Sequence, residues 1–357
     1  MRTGMGMAVL ALAACSMLLC GAGCEQQKVK AGFVYLNTIG DTGWTFAHEQ
    51  ARQELLKEPY ISAAPYIELV EPFDNATVEA AIEQLIGQGC GIVFTTSFEF
   101  MDATLAQAGR HPEAYFMHCS GYKTADNMGT YFARIEEAVY LTGIMAGALS
   151  TRGAIGYVAP VKIPEVYRGI NAFTIGVRER NPQARVLVKW VNSWYDPAAE
   201  TLAAQELVAL GVDVLAHGQD SPAVNQVAQE QGLPSFGYNT DMSSYAPQSH
   251  LTAPVWNWTP FYKHYCAMVR DRTWQTEQSW WGFEKNAIGL SPMSERVPAA
   301  LAAAVDQRRQ ELAEGAFVIF KGPLYDTQGV LRYAEGQSAT DAELLAMDYL
   351  LQGVSEL

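Results

Sequence analysis

The chain carries a copy of part of itself. Residues 74–89 read D-N-A-T-V-E-A-A-I-E-Q-L-I-G-Q-G and residues 196–211 read D-P-A-A-E-T-L-A-A-Q-E-L-V-A-L-G, a displacement of 196 − 74 = 122 positions. Carried outward without a gap, the same displacement pairs Tyr35 with Tyr157, Leu85 with Leu207, Gly89 with Gly211, Pro112 with Pro234, Thr130 with Thr252 and Tyr140 with Tyr262. Self-similarity at that distance means one structural unit used twice. Each copy reads as short apolar runs separated by helix-length segments: strands over 31–36, 66–72, 91–95 and 114–119, then over 154–159, 185–191, 212–217 and 235–239. Near-continuous apolar strands alternating with helices form parallel sheets buried on both faces and wrapped by right-handed crossovers. The expected fold class is therefore α/β, with two similar lobes.

Both copies continue into long connections. Residues 127–133 lead into an apolar helix over 135–149, and residues 250–255 lead into a second over 258–272. The remainder reads as a strand over 287–290, a helix over 298–314, a segment over 317–325 and a closing helix over 341–351. This pattern assigns residues 25–134 with 258–290 to lobe one and residues 135–257 with 291–357 to lobe two, the placement of the tail being the part that pattern constrains least. Several chain crossings between lobes imply a hinge and a cleft that closes on a ligand.

The N-terminus and composition narrow the function class. Met1-Arg2 followed by an apolar run over 4–19 has the character of a secretory signal too short to span a bilayer. Gly21, Ala22 and Gly23 before Cys24 suit a bacterial lipoprotein cleavage site, with Cys24 as the lipidated residue of a protein anchored at the periplasmic face of the cell envelope. Leu12-Ala13-Ala14-Cys15 offers the leucine usual three places before the cysteine, but cleavage there would leave an apolar stub over 16–19. Beyond Cys24 only Cys90, Cys119 and Cys266 remain, without a CxxC pair or a His/Cys cluster at ligand spacing, which argues against a structural metal. A formal charge of −14 argues against nucleic acid as a partner and against anionic membrane surfaces, leaving the lipid as the membrane attachment. No G-x-S-x-G, P-loop or H-E-x-x-H stretch is present and the histidines are scattered, so the chain is not expected to be an enzyme.

In open α/β sheets, ligands lie beyond the C-terminal ends of the strands. In copy one this nominates Asp41 and Trp44 in the loop after the first strand, then Thr96, Ser97 and Phe98, and the stretch 119–122. The 122-residue displacement nominates residues 163–168, including Glu165 and Arg168, then Asp196, residues 218–220 with Asp220, and Asp241. Trp194 ends a strand of copy two, and Asn257 lies on a connection between Trp256 and Trp258. Each nominee has a plainer use. Asp41 caps a helix, Trp44 packs into a core, and Asp220-Ser221-Pro222 starts a helix. Glu165 and Arg168 form a salt bridge across the cleft mouth or pair with each other on one helical turn. At the two lips, Asp41 and Trp44 correspond to Ile163 and Val166 under the displacement.

A series of motifs carries a resemblance: G-D-T-G-W-T at 40–45, I-P-E-V at 163–166 with R-G-I-N-A-F at 168–173, S-W-Y-D-P at 193–197, Q-D-S at 219–221, G-Y at 237–238 with D-M at 241–242, V-W-N-W at 255–258 and G-P-L-Y-D at 322–326. In this order and spacing they resemble the basic membrane protein family of substrate-binding lipoproteins, the purine-binding branch of the type I periplasmic-binding-protein fold. The resemblance implies two Rossmann-like lobes joined by a multi-strand hinge, and a monomeric solute receptor that needs no cofactor and delivers ligand to the permease and ATPase subunits of an ABC importer. Better-known members bind purine nucleosides with an aromatic clamp on the base and acidic groups on the ribose. Their first-loop pattern of Asp, Ser, Phe and Asn is replaced here by Asp41, Gly43 and Trp44, which resembles a sub-branch associated with the free base adenine. On that reading Trp44 stacks on the base, Asp220 and Asp241 accept its N–H groups, and Thr96, Ser97 and Asn257 serve its acceptors. The alternatives are a purine nucleoside receptor, or a ligand-sensing receptor of the same fold for a sugar-like ligand.

Overall fold

The computed structural model describes Met1 and residues 28–357. Cys15, Cys24 and the expected signal lie outside the described residues. In chain order the elements of the first half are β1 (Val29–Val34), α1 (Trp44–Leu55), β2 (Ile61–Ala63), β3 (Tyr66–Ile67), α2 (Asn75–Gly87), β4 (Ile92–Thr95), α3 (Met101–Arg110), β5 (Tyr115–Cys119), β6 (Met128–Ala133) and α4 (Ile135–Leu149). The second copy follows as β7 (Ala154–Ala159), α5 (Pro164–Arg180), β8 (Arg185–Trp190), α6 (Pro197–Ala209), β9 (Val214–His217), α7 (Ala223–Glu230), β10 (Ser235–Phe236) and β11 (His250–Thr252). The chain then runs through β12 (Pro254–Trp256), α8 (Thr259–Asp271), β13 (Gln278–Trp281), β14 (Ile288–Leu290), α9 (Ala299–Ala313), β15 (Leu324–Tyr325), β16 (Leu331–Tyr333), α10 (Asp341–Leu345) and β17 (Val354–Glu356).

Two parallel sheets result. One runs β13-β6-β5-β4-β1-β2 with β3 also on β1, and the other runs β11-β10-β9-β7-β8-β17. The shared order is what a duplicated α/β unit requires. Its clearest marks are local: α2 and α6 are each capped by an aspartate side chain, Asp74 accepting from Ala76 N and Asp196 from Ala199 N. Both helices end before a left-handed glycine, Gly89 at φ 86° and Gly211 at φ 88°, a conformation glycine adopts without steric cost.

The gap-free displacement does not hold at the first strand of each copy. Ile92, Val93 and Phe94 pair with Ala31, Gly32 and Phe33, whereas Val214, Leu215 and Ala216 pair with Ile155, Gly156 and Tyr157. Strands β4 and β9 are thus 214 − 92 = 122 apart while β1 and β7 are 155 − 31 = 124 apart. Gly32 and Gly156 confirm the second register, because a Cβ on either would press on a leucine of the second helix of its copy, Leu85 of α2 or Leu207 of α6. The loop after the strand also shortens, from residues 35–43 to residues 160–163. The pairings of Asp41 with Ile163 and Trp44 with Val166 therefore do not survive.

Beyond the two copies, the chain differs from the expectation at the closing helix and at an edge strand of the first sheet. The closing helix stops at Leu345, and the chain ends instead in β17, parallel to β8 at the edge of the second sheet. Strand β13, which pairs with β6 at the edge of the first sheet, is unsignalled because Gln278-Ser279-Trp280-Trp281 is neither an apolar run nor an alternation. Between the lobes the chain crosses from β6 to α4, from β11 through β12 to α8, and from β13 to β14, with β12 antiparallel to β14. One apolar core runs through this hinge and along the inner faces of both sheets, while separate clusters fill the outer face of each lobe.

Candidate functional site

The loop after β1 sets one lip of the cleft. Asp41 turns its carboxylate onto the start of α1 and accepts from the backbone N–H groups of Gly43, Thr45 and Phe46 at 3.0, 3.0 and 2.9 Å, which satisfies donors that a helix N-terminus leaves free. Trp44, half-buried at the first turn, donates its indole N–H to the Thr96 carbonyl at 2.8 Å. Its ring meets Trp256 and Trp258 edge-on at 5.3 and 5.4 Å and lies 4.8 Å from His48. Trp256 and Trp258 are themselves stacked at 4.9 Å. Trp44 is thus the cleft-side member of an aromatic cluster that continues into the hinge.

The opposite lip comes from the ends of β9 and β10. Asp220 is 6% exposed, its N–H donates to the Trp194 carbonyl at 2.9 Å, and its Oδ1 accepts from Asn239 Nδ2 at 2.6 Å. Asn239 returns its own Oδ1 to the Trp256 indole N–H at 2.7 Å, so this residue ties the second lobe's lip to the hinge. It holds a left-handed φ of 66°, which asparagine tolerates better than most residues. The lips touch. The Thr240 hydroxyl donates to the Thr42 carbonyl, and a Cβ on Gly43 would stand 2.8 Å from both Asp220 Cβ and the Asp220 carbonyl oxygen.

Behind this contact a narrow cavity of about 10 Å³ is lined by Tyr157, Glu165, Trp194, Gly218 and Tyr238 with the start of α4. That is room for about one water, so a larger ligand enters only when the lobes part. Glu165 has no hydrogen bond among the described residues, and burial raises its carboxyl to about 7 against the opposing pull of Arg168. Burial first, and Asp41 second, push the Asp220 carboxyl well above the usual range. Gln219, fully buried between Gly218 and Asp220, has neither amide atom bonded among the described residues. Unspent buried polar groups of this kind are rare and costly unless a partner arrives.

The other nominated residues are placed differently. Arg168 is 1% exposed and pairs with Glu136 at 3.2 Å, donates to the Leu344 carbonyl at 3.1 Å and lies over Trp280. It braces α4, the tail and β13, and its ion pair is neither with Glu165 nor across the cleft mouth. Asp241 is exposed and closes a turn by accepting from Ser243 N at 2.9 Å, so it stands outside the buried lip where Asp220 lies. Asn257 spends its side chain on the Asn286 carbonyl and on Thr259 N, at the start of α8. Thr96 is buried with its hydroxyl on the Val34 carbonyl, and Ser97 donates to Glu99. Phe98 stays 49% exposed at the rim, 6.4 Å from Tyr122. An open groove of about 410 Å³ runs beside the hinge between Phe46, Gln50 and Asn257. Its buried carboxylate, Glu49, is already taken by Arg52, Gln53 and Tyr35, so the groove offers no uncommitted buried carboxylate among the described residues. Asn239 was not nominated from the sequence, and Tyr238 entered only as part of the G-Y motif at 237–238. The one signal for Asn239 was its place as the last residue of a predicted strand, over 235–239.

Comparison with known proteins accords with this geometry. The family described as ABC transporter substrate-binding protein PnrA-like matches residues 28–321. A purine-binding protein of Brucella abortus is 37% identical over 95% of this chain and 96% of its own length. A putative ABC transporter glucose-binding protein of Haloferax volcanii is 35% identical over 86% of this chain and 78% of its own. Among solved structures, an ABC transporter solute-binding protein from Conexibacter woesei superposes with a TM-score of 0.71 at 20% identity, over 81% of this chain and 97% of that one. The fold is thus the type I periplasmic-binding architecture.

Proposed function

This chain belongs to the PnrA-like family of ABC transporter substrate-binding proteins, and from that membership we propose that it captures a purine, the free base adenine, between its lobes. Capture serves an importer, whose permease and ATPase subunits are the partners that the family implies. The observation that carries the purine reading is the convergence of Glu165 and Gln219, whose side chains have no hydrogen bond among the described residues, with Asp220, which has the one donor Asn239, beside the aromatic side chains of Trp44, Trp194 and Tyr238. A base supplies flat faces for the rings and N–H groups and ring nitrogens for the polar set. One stack is worth ~1–3 kcal/mol and a few charge-assisted hydrogen bonds ~1.5–3 kcal/mol each, which reaches the roughly −8 kcal/mol of micromolar capture. The relative named as purine-binding supports the same ligand class.

A sugar is the second reading, favoured by the relative named as glucose-binding, because an aromatic wall with carboxyls also suits a pyranose. Calorimetry on protein unfolded, stripped of small molecules and refolded decides between them. Adenine is expected to bind in the micromolar range or tighter, more strongly than adenosine; heat from glucose and none from adenine, guanine or hypoxanthine overturns the purine reading. The protein acts as a monomer held to the envelope by a lipid on Cys24, a residue outside those described. Loss of fatty-acid labelling in Cys24→Ser, with labelling kept in Cys15→Ser, is the outcome expected of that anchor.

A further inference from the structure

The lips meet in a way that leaves one carboxyl without compensation. Asp41 is held by three backbone N–H groups, whereas Asp220, pressed against Gly43, has the single donor Asn239 and no ion pair among the described residues. The titratable groups that face it are acidic on every side: Asp41 from the loop before α1, Glu200 from α6, Glu165 from α5, and the Tyr238 phenol after β10. Glu200 is itself engaged by the Ser221 hydroxyl and by Asp196 N. Arg168 acts on Glu165 and Tyr238 but is committed to Glu136. A carboxylate buried among carboxylates with one neutral donor is strongly disfavoured, and protonation relieves it. When the lobes part, water reaches Asp220 and the carboxylate form is restored.

We infer that Asp220 stands in the closed cleft as a neutral acid, so that capture takes up a proton from solvent and the ligand meets an O–H donor at this position. Asp220 then selects for an acceptor, such as a purine ring nitrogen, instead of for an N–H group. The choice of a ring nitrogen rests on the purine reading; the proton does not. Since the carboxyl titrates higher in the closed form than in the open one, closure is fully favoured below the ordinary carboxyl range and loses that advantage as pH rises towards the raised value. Ligand affinity therefore falls with rising pH, by about tenfold per unit where one proton is taken up.

The test is calorimetry of adenine, and separately of glucose, in buffers of differing ionisation enthalpy between about pH 6 and pH 8. The expected result is uptake close to one proton per ligand, abolished in Asp220→Asn and reduced in Gly43→Ala, where the added methyl holds the lips apart. Heats that do not depend on the buffer overturn the inference, as does uptake that survives Asp220→Asn and vanishes in Glu165→Gln. Proton uptake with glucose and no heat from adenine sinks the purine reading and leaves the neutral acid standing. A second readout is the carboxylic-acid stretch in the infrared spectrum of the closed, ligand-loaded protein at neutral pH. A band lost in Asp220→Asn supports the assignment, and a spectrum unchanged by that substitution overturns it.

Discussion

At the scale of residues, each charged side chain at the cleft is defined by where its polar atoms are spent: Asp41 on the helix that follows it, and Arg168 on a helix and a tail distant in sequence. Asp41 was legible as a helix cap, and its three N–H partners lie within five residues. Arg168 was not legible, because Glu136 and Leu344 reach it from a helix and a tail that its own neighbourhood does not reveal. Asp241 and Asp220 were equivalent candidates by type; only packing separates an exposed turn residue from a buried lip. A buried ion pair of the Arg168–Glu136 kind is costly to break from one side. Replacing Arg168 with Ala is expected to destabilise the protein by ~3–5 kcal/mol, since it leaves Glu136 buried without its partner. Urea unfolding checks this. A variant that loses ligand affinity with an unmoved unfolding midpoint would instead restore Arg168 to the ligand.

At the scale of elements, duplication made the parallel sheets and their helices readable, because apolar runs buried on both faces need no partner to be recognised. What escaped were edge strands, β13 and β17, whose pairing is decided by the strand they meet and hardly by their own composition. The crossing of α4 and α5 was equally silent. It depends on Gly143, Gly147 and Gly176, where backbone meets backbone: a Cβ on Gly143 would lie 2.2 Å from the Phe173 carbonyl oxygen, and one on Gly176 2.3 Å from that of Tyr140. These are glycines of close approach. Gly143→Ala is therefore expected to cost ~1–3 kcal/mol by overpacking, read as a lowered urea midpoint with unchanged helix content in circular dichroism. An unchanged midpoint would mean that the two helices slide apart freely.

For the molecule as a whole, the hinge is the feature that turns two lobes into a device. Three crossings join the lobes, and β12 with β14 holds two of them side by side. The lips are meanwhile joined by the contacts of Thr42 with Thr240 and of Gly43 with Asp220. Closed lobes leave space for about one water, so ligand exchange requires opening. Small-angle scattering of the stripped protein is expected to show a larger radius of gyration than the adenine-loaded form, and Gly43→Ala should stay expanded with ligand present. Equal radii in all three states would count against a moving hinge.

The edge strands also set an order in time. The first sheet receives β13 from residues 278–281 and the second receives β17 from residues 354–356. A chain that emerges from its N-terminus has made most of both lobes before either sheet has these edge strands, and the second sheet waits for residues 354–356. Neither lobe can finish early as an independent unit. Each sheet thus takes an edge strand from chain that lies beyond both duplicated units, so a fragment that stops at either copy leaves an unpaired sheet edge for other chains to meet.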